Sequence, residues 1–248
     1  MPSPTAAQRI DRLMDRASEA LVQTLYWDAE RACLQALEFA RREGDWERMA
    51  RICMPLLESR RQKRLAAVDA PGRWVVARAE DVPQPIEPGL YLLQPPMTGM
   101  DARMLRDAAA DTETPVMTLA REPMTRSGHW PVAAVGRLIV RARVAPPEGV
   151  ERDPSAMTRD RLEGFAERSD FDEWFLSASE ALGDECVRHA AHTPGAEAVD
   201  VLLDRLDVMP DHEKLHQALE AACRDAMVEH AEAPPRVADS GPRLAELQ

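Results

Sequence analysis

Two histidines one helical turn apart enclose an acid in the run His212-Glu213-Lys214-Leu215-His216. On a helix this spacing sets both imidazoles on one side, where they can share a zinc ion while the glutamate activates a water. With Leu215 as origin, His212 falls at about 60° and His216 at about 100°, so both flank the apolar stripe. Three features oppose a metal: the charge of Lys214, the helix start at Pro210-Asp211, and the lack of a third ligand, because Glu220 lies about 12 Å further along the axis. The expectation is a pair of half-buried histidines at a helix interface, with zinc-dependent hydrolysis as the alternative. Cys186, His189 and His192 make a weaker set, since steps of three swing them across about 120° of the helix surface. No cofactor and no metal are expected.

A second group of polar side chains sits in two loops. The first, 95–101, carries Thr98 and Asp101; the second, 121–130, carries Arg121, Glu122, Thr125, Arg126 and His129. Each loop follows a short run of β-formers. If those strands are parallel neighbours, both loops leave the sheet at its carboxyl edge, where helix N-termini present free N–H groups to anions. Thr98, Asp101, Arg121, Thr125, Arg126 and His129 are therefore the candidate ligand-binding residues. Asp101 cuts the other way, because as a helix cap it would occupy those donors itself. Arg60, Arg61, Lys63 and Arg64 form a basic run that reads as the solvated end of a helix, where positive charge is favourable.

The elements that must hold these groups fall into three regions. In residues 1–70, apolar positions recur at helical spacing, weakly at Ile10, Leu13, Met14 and Ala17, then clearly at Leu25, Ala29, Ala32, Ala36 and Ala40. Gly44 stops the second helix and Asp45 caps a third, which carries Met49, Ile52, Cys53, Leu56 and Leu57 and is expected to kink at Pro55. Residues 71–150 turn to β-branched and aromatic runs broken by Pro and Gly, with strands at 73–79, 89–94 and 114–119 and one long strand at 131–144, where Gly136 marks a bend or bulge. A helix at 101–110 between the second and third makes one β-α-β unit, and the proline-rich 81–88 is an extended connector. Residues 151–230 return to helices, three of them, while 231–248 reads as a disordered tail. The fold class is thus mixed α/β: a small central sheet of about four strands flanked by N-terminal and C-terminal helical segments.

The run Tyr26-Trp27-Asp28-Ala29-Glu30-Arg31-Ala32-Cys33-Leu34-Gln35-Ala36-Leu37 resembles the second helix of a tetratricopeptide repeat, and Gly44-Asp45-Trp46 resembles the connector to a following repeat. The likeness spans residues 20–65, about one and a half repeats. It implies a helical hairpin and a protein-binding groove.

Charge narrows the function classes. The chain of 248 residues carries 31 Lys and Arg against 43 Asp and Glu, for −12. Residues 1–70 hold 12 basic and 11 acidic groups, 71–150 hold 9 and 9, and 151–248 hold 10 and 23, so the surplus lies in the last third. Gripping a phosphate backbone needs clustered cations, so nucleic acid and anionic membranes are disfavoured as partners. Only Lys63 and Lys214 are lysines, a bias that reflects a GC-rich, bacterial genome. Cys33, Cys53, Cys186 and Cys223 stand far apart in apolar helical contexts and read as free thiols in a cytoplasmic protein. A polar N-terminus and the lack of a long apolar run give no secretion or membrane signal. The reading is a non-enzymatic protein-interaction or adaptor module with a protein partner, its oligomeric state open, and a small-anion-binding α/β domain as a further alternative.

Overall fold

The computed structural model describes residues 5–123, 128–148, 164–191 and 193–232. Helix α1 (Ala6–Val22) starts where Thr5 and Gln8 exchange side-chain and backbone hydrogen bonds, satisfying N–H groups that a helix start leaves open. Helix α2 (Tyr26–Glu43) buries the expected stripe of Ala29, Ala32, Ala36 and Ala40, with Cys33 and Leu37 beside it. Leu25 departs from that stripe: it stands at the N-cap and is exposed. Helix α3 (Trp46–Asp69) is capped by the Asp45 carboxylate, which accepts from the Arg48 amide at 3.0 Å, and it runs on through Pro55.

The sheet is five-stranded, in the order β1 (Gly72–Val76), β2 (Gly89–Leu93), β3 (Val116–Arg121), β4 (Trp130–Val135), β5 (Ile139–Val144). Strands β1, β2 and β3 are parallel, and β3–β4 and β4–β5 are antiparallel. The β-α-β unit stands: α4 (Gly99–Asp111) joins β2 to β3. The single long strand expected at 131–144 is instead a hairpin, which adds the fifth strand. Gly136 makes its turn, and a Cβ there would stand 2.7 Å from the Val208 amide nitrogen, so only glycine lets the hairpin tip approach so closely. Strand β1 stops at Val76, short of the expected 79, and a turn of 3-10 helix at Ala79–Asp81 leads into the proline-rich connector.

Helices α5 (Phe171–Ala190), α6 (Gly195–Val208) and α7 (Glu213–Glu232) complete the described chain. Alternation along the strands divides the sheet into two faces. Leu90, Leu92, Met117, Leu119 and Val132 face the main core, which also takes in the buried sides of α2, α3, α5, α6 and α7. Tyr91, Leu93 and Ala120 face the other way and meet Ala102 and Leu105 of α4 in a smaller core. The helical flanks before and after the sheet therefore share one continuous interior. The tail expected at 231–248 lies outside the described residues from 233 onward.

Candidate functional site

The two loops do leave the sheet at one edge, because β2 and β3 are parallel, with Leu93 opposite Ala120. The sheet nevertheless parts their side chains. Thr98 and Asp101 close the start of α4: the Thr98 amide and hydroxyl both donate to Asp101 Oδ2 at 2.7 Å, and the Asp101 amide donates back to Thr98 Oγ1 at 3.4 Å. The Thr98 and Asp101 amides at the helix start are thus already taken up by this capping box. Arg121 turns to the opposite face, in register with Val132 and on the side of Leu119 and Met117. There it is 7% exposed, donates from Nε to Gln94 Oε1 and lies with its guanidinium carbon 4.8 Å from the centre of the Trp130 ring. Burial alone pulls its pKa down to about 10. Glu122 pairs with Arg141 at 2.8 Å, and His129 is exposed. Thr125 and Arg126 lie outside the described residues.

The histidine pair divides in the same way. His212 precedes α7 instead of sitting in its first turn, and its Nε2 stands 3.2 Å from Glu180 Oε2 and 3.6 Å from Asp184 Oδ1, both on α5. His216 donates from Nε2 to the Pro210 carbonyl at 2.8 Å and is buried against α3, where burial and the Arg60 charge push its pKa down to about 4. Both are buried far beyond the half-exposure expected, at 2% and 1%. Among the described residues, no three His, Cys, Asp or Glu side chains stand close enough to hold a metal ion together.

A cavity of about 310 Å³ lies at the junction of all three regions. Trp27 and Glu30 of α2 and Arg60, Lys63 and Arg64 of α3 form one wall; α4 with Arg103 and Arg106 forms a second; Asp207 to Asp211, running from the last turn of α6 toward α7, form a third. Met117, Ala133 and Val135 of the sheet line its apolar part. Of the basic run read as a solvated helix end, Arg60, Lys63 and Arg64 are therefore a wall of this cavity, while Arg61 points to solvent. The run lies well inside α3, and Arg60 is 8% exposed.

Its charges are ordered by short contacts. Arg60 donates to Glu30 at 2.7 Å and to the Pro210 carbonyl at 3.1 Å, and Lys63 donates to the other oxygen of Glu30 while lying 3.8 Å above the Trp27 ring. Burial pushes the Glu30 carboxyl up, but the charges of Arg60 and Lys63 and their hydrogen bonds outweigh it and hold it at about 2. Burial lowers Lys63 against the pull of Glu30. Arg103 reaches Asp207 at 3.0 Å, whereas Arg106 donates to the carbonyls of Val208 and Asp207 at 3.1 and 3.2 Å, closing the end of α6. Five cations line the cavity against four acids. A carboxyl held near 2 is too weak a base to take protons at neutral pH, so these groups suit recognition by charge better than proton transfer.

Sequence reasoning missed the cavity because its walls come from residues more than a hundred positions apart. Lys63, one of two lysines in an arginine-rich chain and within one helical turn of both Arg60 and Arg64, was the one local signal. Fold and site together define a mixed α/β protein with helical flanks closing on a charged cavity. No family model, no curated protein and no solved structure matches the chain.

Proposed function

We propose that this chain is a cytoplasmic binding module that takes a small organic anion into the junction cavity. The observation that carries this reading is the lining: an apolar sheet surface on one side and five cations against four acids on the other, in a volume suited to a small molecule. Arg106 is the cation best placed to serve, since its own hydrogen bonds go to carbonyls and leave further N–H groups to offer. The cytoplasmic assignment is supported by the four cysteines, all buried and free. No described helix is long and apolar enough to cross a membrane.

The test uses two fluorescent probes of one shape. The anion 1-anilinonaphthalene-8-sulfonate should bind the folded protein, and the uncharged N-phenyl-1-naphthylamine should bind about tenfold or more weakly, the scale of one charge-assisted hydrogen bond. Ala110→Phe, which fills the cavity beside α4, should remove both. Equal binding of the two probes, or binding that survives Ala110→Phe, refutes the reading.

A protein partner is the second reading. It is supported by the resemblance in α2 and by Met54, Met227 and Val228, which are exposed in a shallow groove between α3 and α7. Any protein retained by the wild-type chain should be lost from Met54→Glu with Met227→Glu; retention by that variant removes this reading.

A further inference from the structure

Two polar side chains on the main-core face of the sheet, Gln94 and Trp130, have buried hydrogen-bond donors with no partner among the described residues, and a third, Arg121, sets its guanidinium against both. Arg121 is 7% exposed, Gln94 is 2% and Trp130 is fully buried. Gln94 spends its amide oxygen on Arg121 Nε, so its amide nitrogen is left over, and that nitrogen and the Trp130 indole nitrogen have no partner. The guanidinium lies against the Trp130 ring, and desolvation is what lowers its pKa, with no carboxylate among the described residues opposing it. Each group touches the next. Trp174 packs edge-on to Trp130 at 5.4 Å and Phe165 edge-on to Trp174 at 5.5 Å, so the surroundings are aromatic and of low dielectric. Trp174 has its own acceptor in the Ala145 carbonyl at 3.0 Å and is not part of the shortage.

A buried cation beside two idle N–H donors, with the Gln94 amide oxygen as its neutral acceptor and no carboxylate paired with it among the described residues, is half of an ion pair. We infer that Arg121, Gln94 and Trp130 form an internal site for a compact monovalent anion, a halide or a free small carboxylate such as formate. The burial of Gln94 and Trp130 limits the ion to that size. Guanidinium, amide and indole N–H groups are all donors only at the atoms concerned, which selects an anion over water, since a water would also need acceptors for its own protons. The site lies across the sheet from the capped start of α4 and is separate from the junction cavity, so it stands or falls independently of the proposed function.

The experiment follows thermal unfolding of the full chain at fixed ionic strength while sodium gluconate, too large to enter, is replaced by sodium chloride and, in a separate series, by sodium formate. An anion bound only by the folded state raises the melting temperature in proportion to the logarithm of its concentration once the site fills. The wild type should rise by several degrees in at least one series, and comparison of the two series separates a halide from a carboxylate. Arg121→Met should abolish the rise. If that variant does not fold, Trp130→Phe, which keeps an aromatic side chain but lacks the indole N–H, should shift the half-saturating anion concentration upward several-fold. Chloride-35 line broadening reads the halide without any unfolding: the excess width given by the wild type should fall in Trp130→Phe. Identical melting in gluconate, chloride and formate overturns the inference, as does a response that Arg121→Met or Trp130→Phe leaves unchanged.

Discussion

The imidazole of His212 lies over Gly183 so closely that a Cβ on the glycine would stand 2.0 Å from His212 Cδ2. Glycine in mid-helix costs about 1 kcal/mol against alanine, and here that cost admits the ring between α5 and the start of α7. Gly183→Ala should therefore destabilise the protein by about 1 to 3 kcal/mol although alanine is the better helix former. Denaturant unfolding checks this; a gain in stability would mean that the histidine moves aside freely.

His216 makes stability depend on pH. Its pKa falls from the usual 6.5 to about 4 on folding, so between those values the unfolded chain binds the proton and the folded chain does not. Stability is full above about 6.5 and falls by about 3 kcal/mol as the pH drops toward 4. His216→Leu should flatten that window. Losses at still lower pH would remain, because Glu30 and Glu180 are both held at about 2 and must be protonated before they stop contributing.

Ala29 and Ala36 are fully buried on α2, which packs against α1 and α3. Leucine at either position should cost about 1 to 3 kcal/mol by overpacking. Unchanged unfolding midpoints in both variants would show that the hairpin has room to spare.

Arg73 joins the end of α3, strand β1 and α5 through one side chain. It donates to the carbonyls of Val68, Ala70 and Gly72 at 2.6 to 2.7 Å and grips both oxygens of Asp172. Arg73→Ala should cost about 2 kcal/mol or more, and Arg73→Lys should recover only part of it, since an ammonium cannot reproduce the planar fork. Full recovery by lysine would reduce the contact to a point charge.

Much of the architecture was readable from local patterns. The alanine stripe of α2, the Asp45 cap and the capping role of Asp101 are each decided by residues within a few positions of one another, and the β2-α4-β3 unit by consecutive segments of the chain. The hairpin at Gly136 was readable only as a break, because a bulge and a tight turn leave the same mark on a sequence; what chooses the turn is the end of α6 lying against it. His212 and His216 had the right spacing for one site, yet neighbours from different helices claim them: Glu180 and Asp184 on one side, the α3 surface on the other.

The sequence by itself determined which segments are helix or strand and that β2 and β3 run parallel, because helical period, strand alternation, caps and connection length are short-range properties. It did not decide where side chains gather. Arg121 left the loop cluster for the far face of the sheet because a strand's alternation, extended by two residues beyond the expected end of β3, sets the face on which a side chain emerges. Arg60 and Lys63 left a solvated helix end for a cavity wall because Glu30, thirty positions earlier, and the Pro210 carbonyl, far later, come to meet them. Both outcomes rest on contacts between distant segments, whose energies exist only once the three regions have closed on one another.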